Sequence, residues 1–338
     1  MSTTERYARI AGLGHFVPEH IVTNDDLAKL VETSDEWIRS RTGIAERHFA
    51  GEGESTATMA TNAGREAIEA AGVAPEQIGL LIIATSTPDY PLFPSTACLV
   101  QSALGLTQAG AFDLSAACSG FVYGLITASQ FITGGAYEHV LVIGADTLSR
   151  FVDFTDRTTC VLFADGAGAA VVSASPGPGG LRSFVLGADG DGADHLIVPA
   201  GGSRTPLTAE SLANHGQTIH MNGREVYRFS TTTPILALEE AARRAGVAIG
   251  DLDLVVAHQA NERILQTAAK NLGVREELFY SNVNRLGNTS AASVPLALYD
   301  AAASGRIRAG SCVGLMGFGA GLTWATAIWH WQGLSSPC

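Results

Sequence analysis

Short apolar runs alternate with longer segments of helical period along most of this chain. Leu80-Leu-Ile-Ile-Ala84, Val140-Leu-Val-Ile-Gly144, Leu254-Val-Val-Ala257 and Cys312-Val-Gly-Leu-Met316 carry no charged side chain. That pattern marks strands covered on both faces. Ala111-Phe-Asp-Leu114 reads as the end of another buried strand, and Ala8-Arg-Ile10 is strand-like. Apolar positions recur at helical spacing over residues 62–71, 235–245 and 262–271. Over residues 119–133 they fall at Phe121, Leu125, Ala128 and Ile132, and Gly134-Gly135 ends the run. Strands and helices in this alternation predict an α/β protein whose sheets pack around shared helices.

The pattern repeats. At a shift of 174 residues (Leu80 onto Leu254), Ala71-Gly-Val-Ala74 recurs as Ala245-Gly-Val-Ala248, each copy between a helix and an apolar strand. Ser115-Ala-Ala-Cys-Ser119 falls over Thr289-Ser-Ala-Ala-Ser293 in the same frame. Several anchors in one order predict two related halves, residues 1–175 and 176–334, followed by a tail over 335–338. The join lies in the turn-rich Ser175-Pro-Gly-Pro-Gly-Gly180. Residues 187–220, polar and glycine-rich, read as an insertion or active-site loop.

Composition narrows the functional classes. With 338 residues, 46% hydrophobic and 16% charged, the chain has enough apolar material for a large core. A formal net charge of −12 argues against general nucleic-acid binding, which needs a basic face. Lys29 and Lys270 are the only lysines, so nearly all positive charge is arginine, the residue suited to phosphate. No apolar run reaches membrane-spanning length and the N-terminus lacks the apolar core of a signal peptide, so a cytoplasmic protein is expected. Five cysteines without a CxxC pair favour neither a disulfide scaffold nor a zinc site. Gly12-Leu-Gly14 has no third glycine to complete a dinucleotide fingerprint, and Pro18 blocks a helix. Asp189-Gly-Asp-Gly-Ala-Asp194 resembles a calcium loop but has Ala200 at its twelfth position, so it reads as a turn. Asp165-Gly-Ala-Gly168 reads as a close-packed bend between strands. Neither a metal nor a prosthetic group is expected.

Cys118 lies where a strand hands over to a helix. A thiol there feels the positive end of the helix dipole and unpaired amides, which favour thiolate and can cradle an oxyanion. A lowered thiol pKa is therefore expected. In the second half, His258 ends a buried strand, and Asn288 sits in a tight turn before the counterpart of the Cys118 helix. If the halves pack about a pseudo-twofold axis, the three converge. A lone histidine at a strand end is more often structural, and an asparagine after glycine is ordinarily a cap or turn residue. Together the three fit two chemistries. One is hydrolysis. The other is carbon–carbon bond formation, with histidine and asparagine holding an enolate oxygen.

The segment around Cys118, with His258-Gln-Ala-Asn261 and Gly287-Asn288-Thr-Ser-Ala-Ala-Ser293, resembles the β-ketoacyl-[acyl-carrier-protein] synthase III family of the thiolase superfamily. Further matches are Thr33-Ser-Asp-Glu-Trp-Ile38, Arg41-Thr-Gly-Ile44, Thr155-Asp-Arg157, Phe163-Ala-Asp-Gly-Ala-Gly168, Met221-Asn-Gly-Arg-Glu-Val226 and Gly317-Phe-Gly-Ala-Gly321, spanning residues 7–331 in family order. The resemblance implies a homodimer with the thiolase fold, its two halves arranged as five αβαβα layers. It implies a condensing acyltransferase that starts type II fatty acid synthesis and uses coenzyme A thioesters as substrates, with no cofactor. Cys118 would take an acyl group from acyl-CoA. His258 and Asn288 would then stabilise the enolate formed when malonyl-ACP loses CO2, and the carbanion would attack to give 3-ketoacyl-ACP.

By the same resemblance, the backbone amides of Cys118 and Ala320 form an oxyanion hole. Trp37 and Arg157 meet the adenine of CoA, Arg41 and Arg263 its phosphates, and Gly223, Arg224 and Asn261 the pantetheine tunnel. Arg224 departs from the family's usual asparagine, which puts an amide contact there in doubt. Phe93, Leu148 and Phe318 belong to the acyl pocket, Phe93 as a residue that crosses the dimer interface. Arg228, Arg263 and Lys270 form a basic patch for the acidic carrier protein. Thr33-Ser-Asp-Glu36 also has the form of a capping box that starts the helix bearing Trp37. The competing reading within the superfamily is a specialised starter or acyl-transfer enzyme of polyketide or quinolone type. Outside it stands a cysteine hydrolase with the same trio and no CoA tunnel.

Overall fold

A computed structural model describes residues 6–175 and 177–335. Pro176 of the join and the last three tail residues, Ser336, Pro337 and Cys338, lie outside them. The first sheet contains β1 (Tyr7–Phe16), β2 (Leu80–Ala84), β3 (Gly110–Leu114), β4 (His139–Thr147) and β5 (Asp165–Ser175), in the order β1-β5-β4-β2-β3. The second contains β6 (Gly180–Ala188), β7 (Leu254–Ala257), β8 (Phe279–Tyr280), β9 (Cys312–Gly319) and β10 (Thr323–His330), in the order β6-β10-β9-β7-β8. The two orders are the same, each strand matching the one five places later. Pairing agrees as well: β1–β5 and β5–β4 are antiparallel, like β6–β10 and β10–β9. β4–β2 and β2–β3 are parallel, like β9–β7 and β7–β8. Leu80 faces Val140 and Leu254 faces Val313, so the frame slips by only one residue between these strands (254 − 80 = 174; 313 − 140 = 173).

Five layers result. Helices Gly120–Thr133 and Ser293–Ala303 lie between the sheets, where Phe121, Leu125, Val294 and Leu298 pack against Ile82 and Val142 on one side and Val256 and Leu315 on the other. Each such fully buried side chain contributes about 1.5–3 kcal/mol. This two-sided burial explains why these helices are apolar around most of their circumference. Helices Thr56–Ala71 and Thr96–Ala103 cover the outer face of the first sheet, and Thr233–Ala245 and Glu262–Leu272 that of the second.

Several sequence expectations change in detail. Gly110–Leu114 is an edge strand, and Phe112 is exposed, so its apolar residues do not signal two-sided burial. Asp165-Gly-Ala-Gly168 begins β5 and is no bend, although its glycines do pack closely, against Leu296 and Pro295. Gly12 and Gly14 lie on β1 where a Cβ would come within 2.3 Å of Ala67 O and 2.1 Å of Ala63 O. They are glycines because the Thr56–Ala71 helix crosses the strand there, which accounts for an incomplete nucleotide fingerprint.

Candidate active site

Leu114 ends β3, and a one-turn 3-10 helix, Ala117–Ser119, carries the chain into the Gly120–Thr133 helix. Ala117 has a φ of 46° and puts Cys118 at the tip of a strained turn. The other half repeats the device: Ser290 has a φ of 51° and opens the 3-10 turn Ser290–Ala292 before the Ser293–Ala303 helix (290 − 117 = 173). The two turns meet, with Cys118 Sγ 3.3 Å from Ser290 Oγ. Gly319, at the end of β9, closes over the cysteine, and a Cβ there would come within 2.9 Å of both Cys118 N and Cβ.

His258 follows directly from β7, its N–H bonded to Met316 O at 2.7 Å, so the ladder to β9 fixes its backbone. Its ring lies edge-on to Phe318 with centroids 5.1 Å apart. Ser293 Oγ is 2.6 Å from His258 Nδ1 and 2.8 Å from Ser290 O, so one hydroxyl proton decides which ring nitrogen is protonated. Burial holds the imidazole down at about 3, neutral at any ordinary pH. Asn288 is held by backbone bonds to Leu162 O (2.9 Å) and from Ala164 N (2.8 Å). Its Oδ1 accepts the Ser290 N–H at 3.0 Å, which turns the amide NH2 away from that contact.

Cys118, His258 and Asn288 line one narrow cavity of about 100 Å³, together with Gly223, Asn261 and Phe318. Cys118 also opens into a wider cavity of about 630 Å³, lined by Leu148, Phe151, Ala320 and residues of the 196–219 segment. The segment read as an insertion or active-site loop thus walls a cavity. Phe318 lines the narrow cavity with His258 and is not among the residues of the wider one, contrary to its expected place. Phe93 stands 82% exposed and also lines neither cavity of this single chain.

At the outer end, Arg41 and Arg157 lie over the Trp37 ring, their guanidinium carbons 4.5 and 5.3 Å from its centroid. Ser34, and not Thr33, caps the Trp37 helix. Asn261 caps the Glu262–Leu272 helix through Arg263 N and donates to Arg41 O at 3.1 Å, tying the narrow cavity to this outer cluster. Arg224 is exposed and lines neither cavity. Arg228, Arg263 and Lys270 are exposed on two helices joined by Tyr227 Oη to Thr267 Oγ1 at 2.9 Å.

The expected lowering of the Cys118 pKa is reversed. Burial pushes the thiol up to about 12, and the charge of Asp146 acts in the same direction, opposed by the Ser290 hydrogen bond. In the resting site the thiol keeps its proton. Asp146, which the sequence reading missed, is completely buried beyond the Val140-Gly144 run. Its Oδ1 accepts from Thr85 Oγ1, Ser86 N, Thr87 N and Thr87 Oγ1 at 2.7–3.1 Å, and its Oδ2 from Ala291 N at 3.1 Å. Burial raises its pKa, while Ser290 and the backbone amides oppose the shift.

Comparison with known proteins agrees with this architecture. Residues 112–190 match the family model of 3-oxoacyl-[acyl-carrier-protein] synthase III, and residues 242–331 match the model of its C-terminal part. A β-ketoacyl-[acyl-carrier-protein] synthase III of Symbiobacterium thermophilum is 50% identical, over 95% of this chain and 97% of the relative. The chain belongs to the β-ketoacyl-[acyl-carrier-protein] synthase III family. It is an acyltransferase of the condensing type, with the thiolase fold. The crystal structure of the synthase III from Aquifex aeolicus VF5 superposes with a TM-score of 0.89 at 41% identity, covering 96% of this chain and all of the other. The priming β-ketosynthase of the R1128 polyketide pathway superposes with a TM-score of 0.89 at 36% identity, covering 99% and 98%. Among the described residues no helix is long and apolar enough to cross a membrane, and no cluster of three or more His, Cys, Asp and Glu could hold a metal.

Proposed function

We propose that this synthase joins an acyl-CoA primer to malonyl-ACP by decarboxylative Claisen condensation, giving 3-ketoacyl-ACP at the start of type II fatty acid synthesis. The observation that carries this reading is the position of Cys118 at the junction of two cavities, with His258 and Asn288 on the wall of the narrow one. The pantetheine arm enters past Gly223 and Asn261. The acyl group lodges in the wider cavity beside Leu148, and in a homodimer the partner's Phe93 reaches across to close it. Trp37 and Arg157 stack on adenine, while Arg41 and Arg263 meet phosphate. Arg224 stays at the mouth. Arg228, Arg263 and Lys270 receive the acidic carrier protein.

Sγ attacks the thioester carbonyl, and the Cys118 and Ala320 amides hold the oxyanion. CoA leaves by the channel through which malonyl-ACP then enters. With the Ser293 proton given to Nδ1, His258 presents Nε2–H, and Asn288 presents its amide, to the malonyl thioester oxygen. Both donors are neutral and buried, so the enolate formed on loss of CO2 gains charge-assisted hydrogen bonds in a site of low dielectric. Its carbanion attacks the acyl-Cys118 carbonyl. No cofactor takes part, and the work is done in the cytoplasm. A specialised starter enzyme is the second reading, favoured by the 630 Å³ of the wider cavity and the likeness to a polyketide priming synthase.

The test is intact-mass spectrometry after incubation with acetyl-, isobutyryl- or octanoyl-CoA, with and without malonyl-ACP, alongside Cys118→Ala. The expected result is an acyl adduct absent from the variant and converted to 3-ketoacyl-ACP. An adduct unchanged by malonyl-ACP supports acyl transfer to another acceptor. Free acid without malonyl-ACP supports a hydrolase.

A further inference from the structure

Attack by Cys118 requires a destination for the thiol proton. His258 is not hydrogen-bonded to it: Nδ1 faces Ser293, and no hydrogen bond joins the imidazole to Cys118 among the described residues. The polar atom beside the sulfur is Ser290 Oγ, 3.3 Å away. Ser290 is buried, and the Asp146 carboxylate lies at the same turn, its Oδ2 accepting the N–H of the next residue, Ala291, at 3.1 Å. A hydroxyl with one proton gives it to the charged acceptor, leaving its lone pairs for the S–H. Asp146 Oδ1 accepts from four donors, two hydroxyls and two amides, which is the surrounding of an ionised group. Ser290 also occupies the left-handed region (φ 51°), where glycine is the residue without strain; the side chain that stands there brings a hydroxyl to the thiol.

We propose that Ser290 and Asp146 form a proton relay for Cys118, with Asp146 storing the thiol proton for the lifetime of the acyl-enzyme. This rests on the condensing function above. As Sγ bonds to the acyl carbon, the S–H proton passes to Ser290 Oγ, and the Ser290 proton passes to Asp146. The acyl carbon–sulfur bond to CoA breaks, and the CoA thiolate takes a proton from water. In the second half-reaction the malonyl-derived carbanion bonds to the acyl carbon and the bond to Sγ breaks. The expelled thiolate recovers its proton from Asp146 through Ser290. One solvent proton is consumed per turnover, by CoA, and the relay returns to its starting state. Ser290 is the catalytic residue of the pair; Asp146 acts through it.

The test compares wild type, Ser290→Ala and Asp146→Asn. Single-turnover acylation by acetyl-CoA is measured by intact mass from pH 6 to 10, and malonyl-ACP decarboxylation is measured separately. Ser290→Ala should acylate about a hundredfold more slowly near neutrality. Its rate should rise about tenfold per pH unit as hydroxide replaces the relay, while wild type stays nearly flat and decarboxylation changes less than about threefold. Asp146→Asn should share the slow, pH-dependent acylation. Ser290→Ala carries the test even where Asp146→Asn fails to fold, because it removes one hydroxyl and leaves the backbone bonds of Ser290 with Asn288 and Ser293 in place. Wild-type acylation rate and pH profile in Ser290→Ala overturn the relay, as does an equal loss of acylation and decarboxylation. Absence of any adduct on wild type instead overturns the functional reading.

Discussion

His258 offers a test of the site that needs no substrate. Burial lowers its pKa from 6.5 to about 3, so the folded protein keeps the imidazole neutral where the unfolded chain protonates it. Below pH 6.5 the unfolded state binds one more proton, and folding becomes less favourable as pH falls. The contribution is fully present above pH 6.5 and declines by about 1.4 kcal/mol per unit down to about 3. Between pH 7.5 and 5.0 only the last 1.5 units count, a loss of about 2 kcal/mol. Other groups titrate over the same range, so the informative quantity is a difference of differences. Urea unfolding of wild type and His258→Gln at both pH values isolates it. The variant loses the Ser293 contact at either pH, but it should lose about 2 kcal/mol less than wild type on acidification. Equal acid sensitivity in the two proteins would refute the reasoning, and with it the idea that His258 acts only as a neutral donor. The same depression predicts no kinetic limb near pH 6.5 in malonyl-ACP decarboxylation.

Two further outcomes follow from contacts at either end of the site. Gly319→Ala places a Cβ 2.9 Å from the Cys118 backbone nitrogen, which cannot swing aside. It should cost about 1–3 kcal/mol in thermal unfolding and slow adduct formation; unchanged melting and acylation would show that the β9 end yields freely. Trp37→Ala should raise KM for acetyl-CoA by roughly three- to thirtyfold with kcat preserved. It should leave KM for acetyl-pantetheine unchanged; an equal rise with both substrates would remove the adenine contact from Trp37.

The strand and helix pattern was readable because its causes are local. Leu80–Ala84 and Leu254–Ala257 are apolar throughout since helices cover both faces, and the helix after Cys118 ends at its glycines. Cys118, His258 and Asn288 were legible because each sits at a turn or strand end. Asp146 was not: it continues an apolar strand, and its role depends on donors from residues 85–87 and 291, far off in sequence. The thiol pKa was misjudged for a related reason. A helix terminus can be read from sequence, but the completeness of burial cannot, and burial pushes this thiol up. Phe112 misled in the opposite way, since an edge strand and a central strand carry the same apolar letters.

The two cavities share Cys118, Phe163 and Leu196 in their walls, and that geometry imposes an order of traffic. A chain bonded to Cys118 can extend into the larger chamber and leave the narrow passage free, so the cargo stays while its carriers change over. The passage of about 100 Å³ has no room for two pantetheine arms abreast. One carrier must therefore back out before the next arrives, and a crowd of primer thioesters at the entrance would delay the very partner needed to finish the cycle.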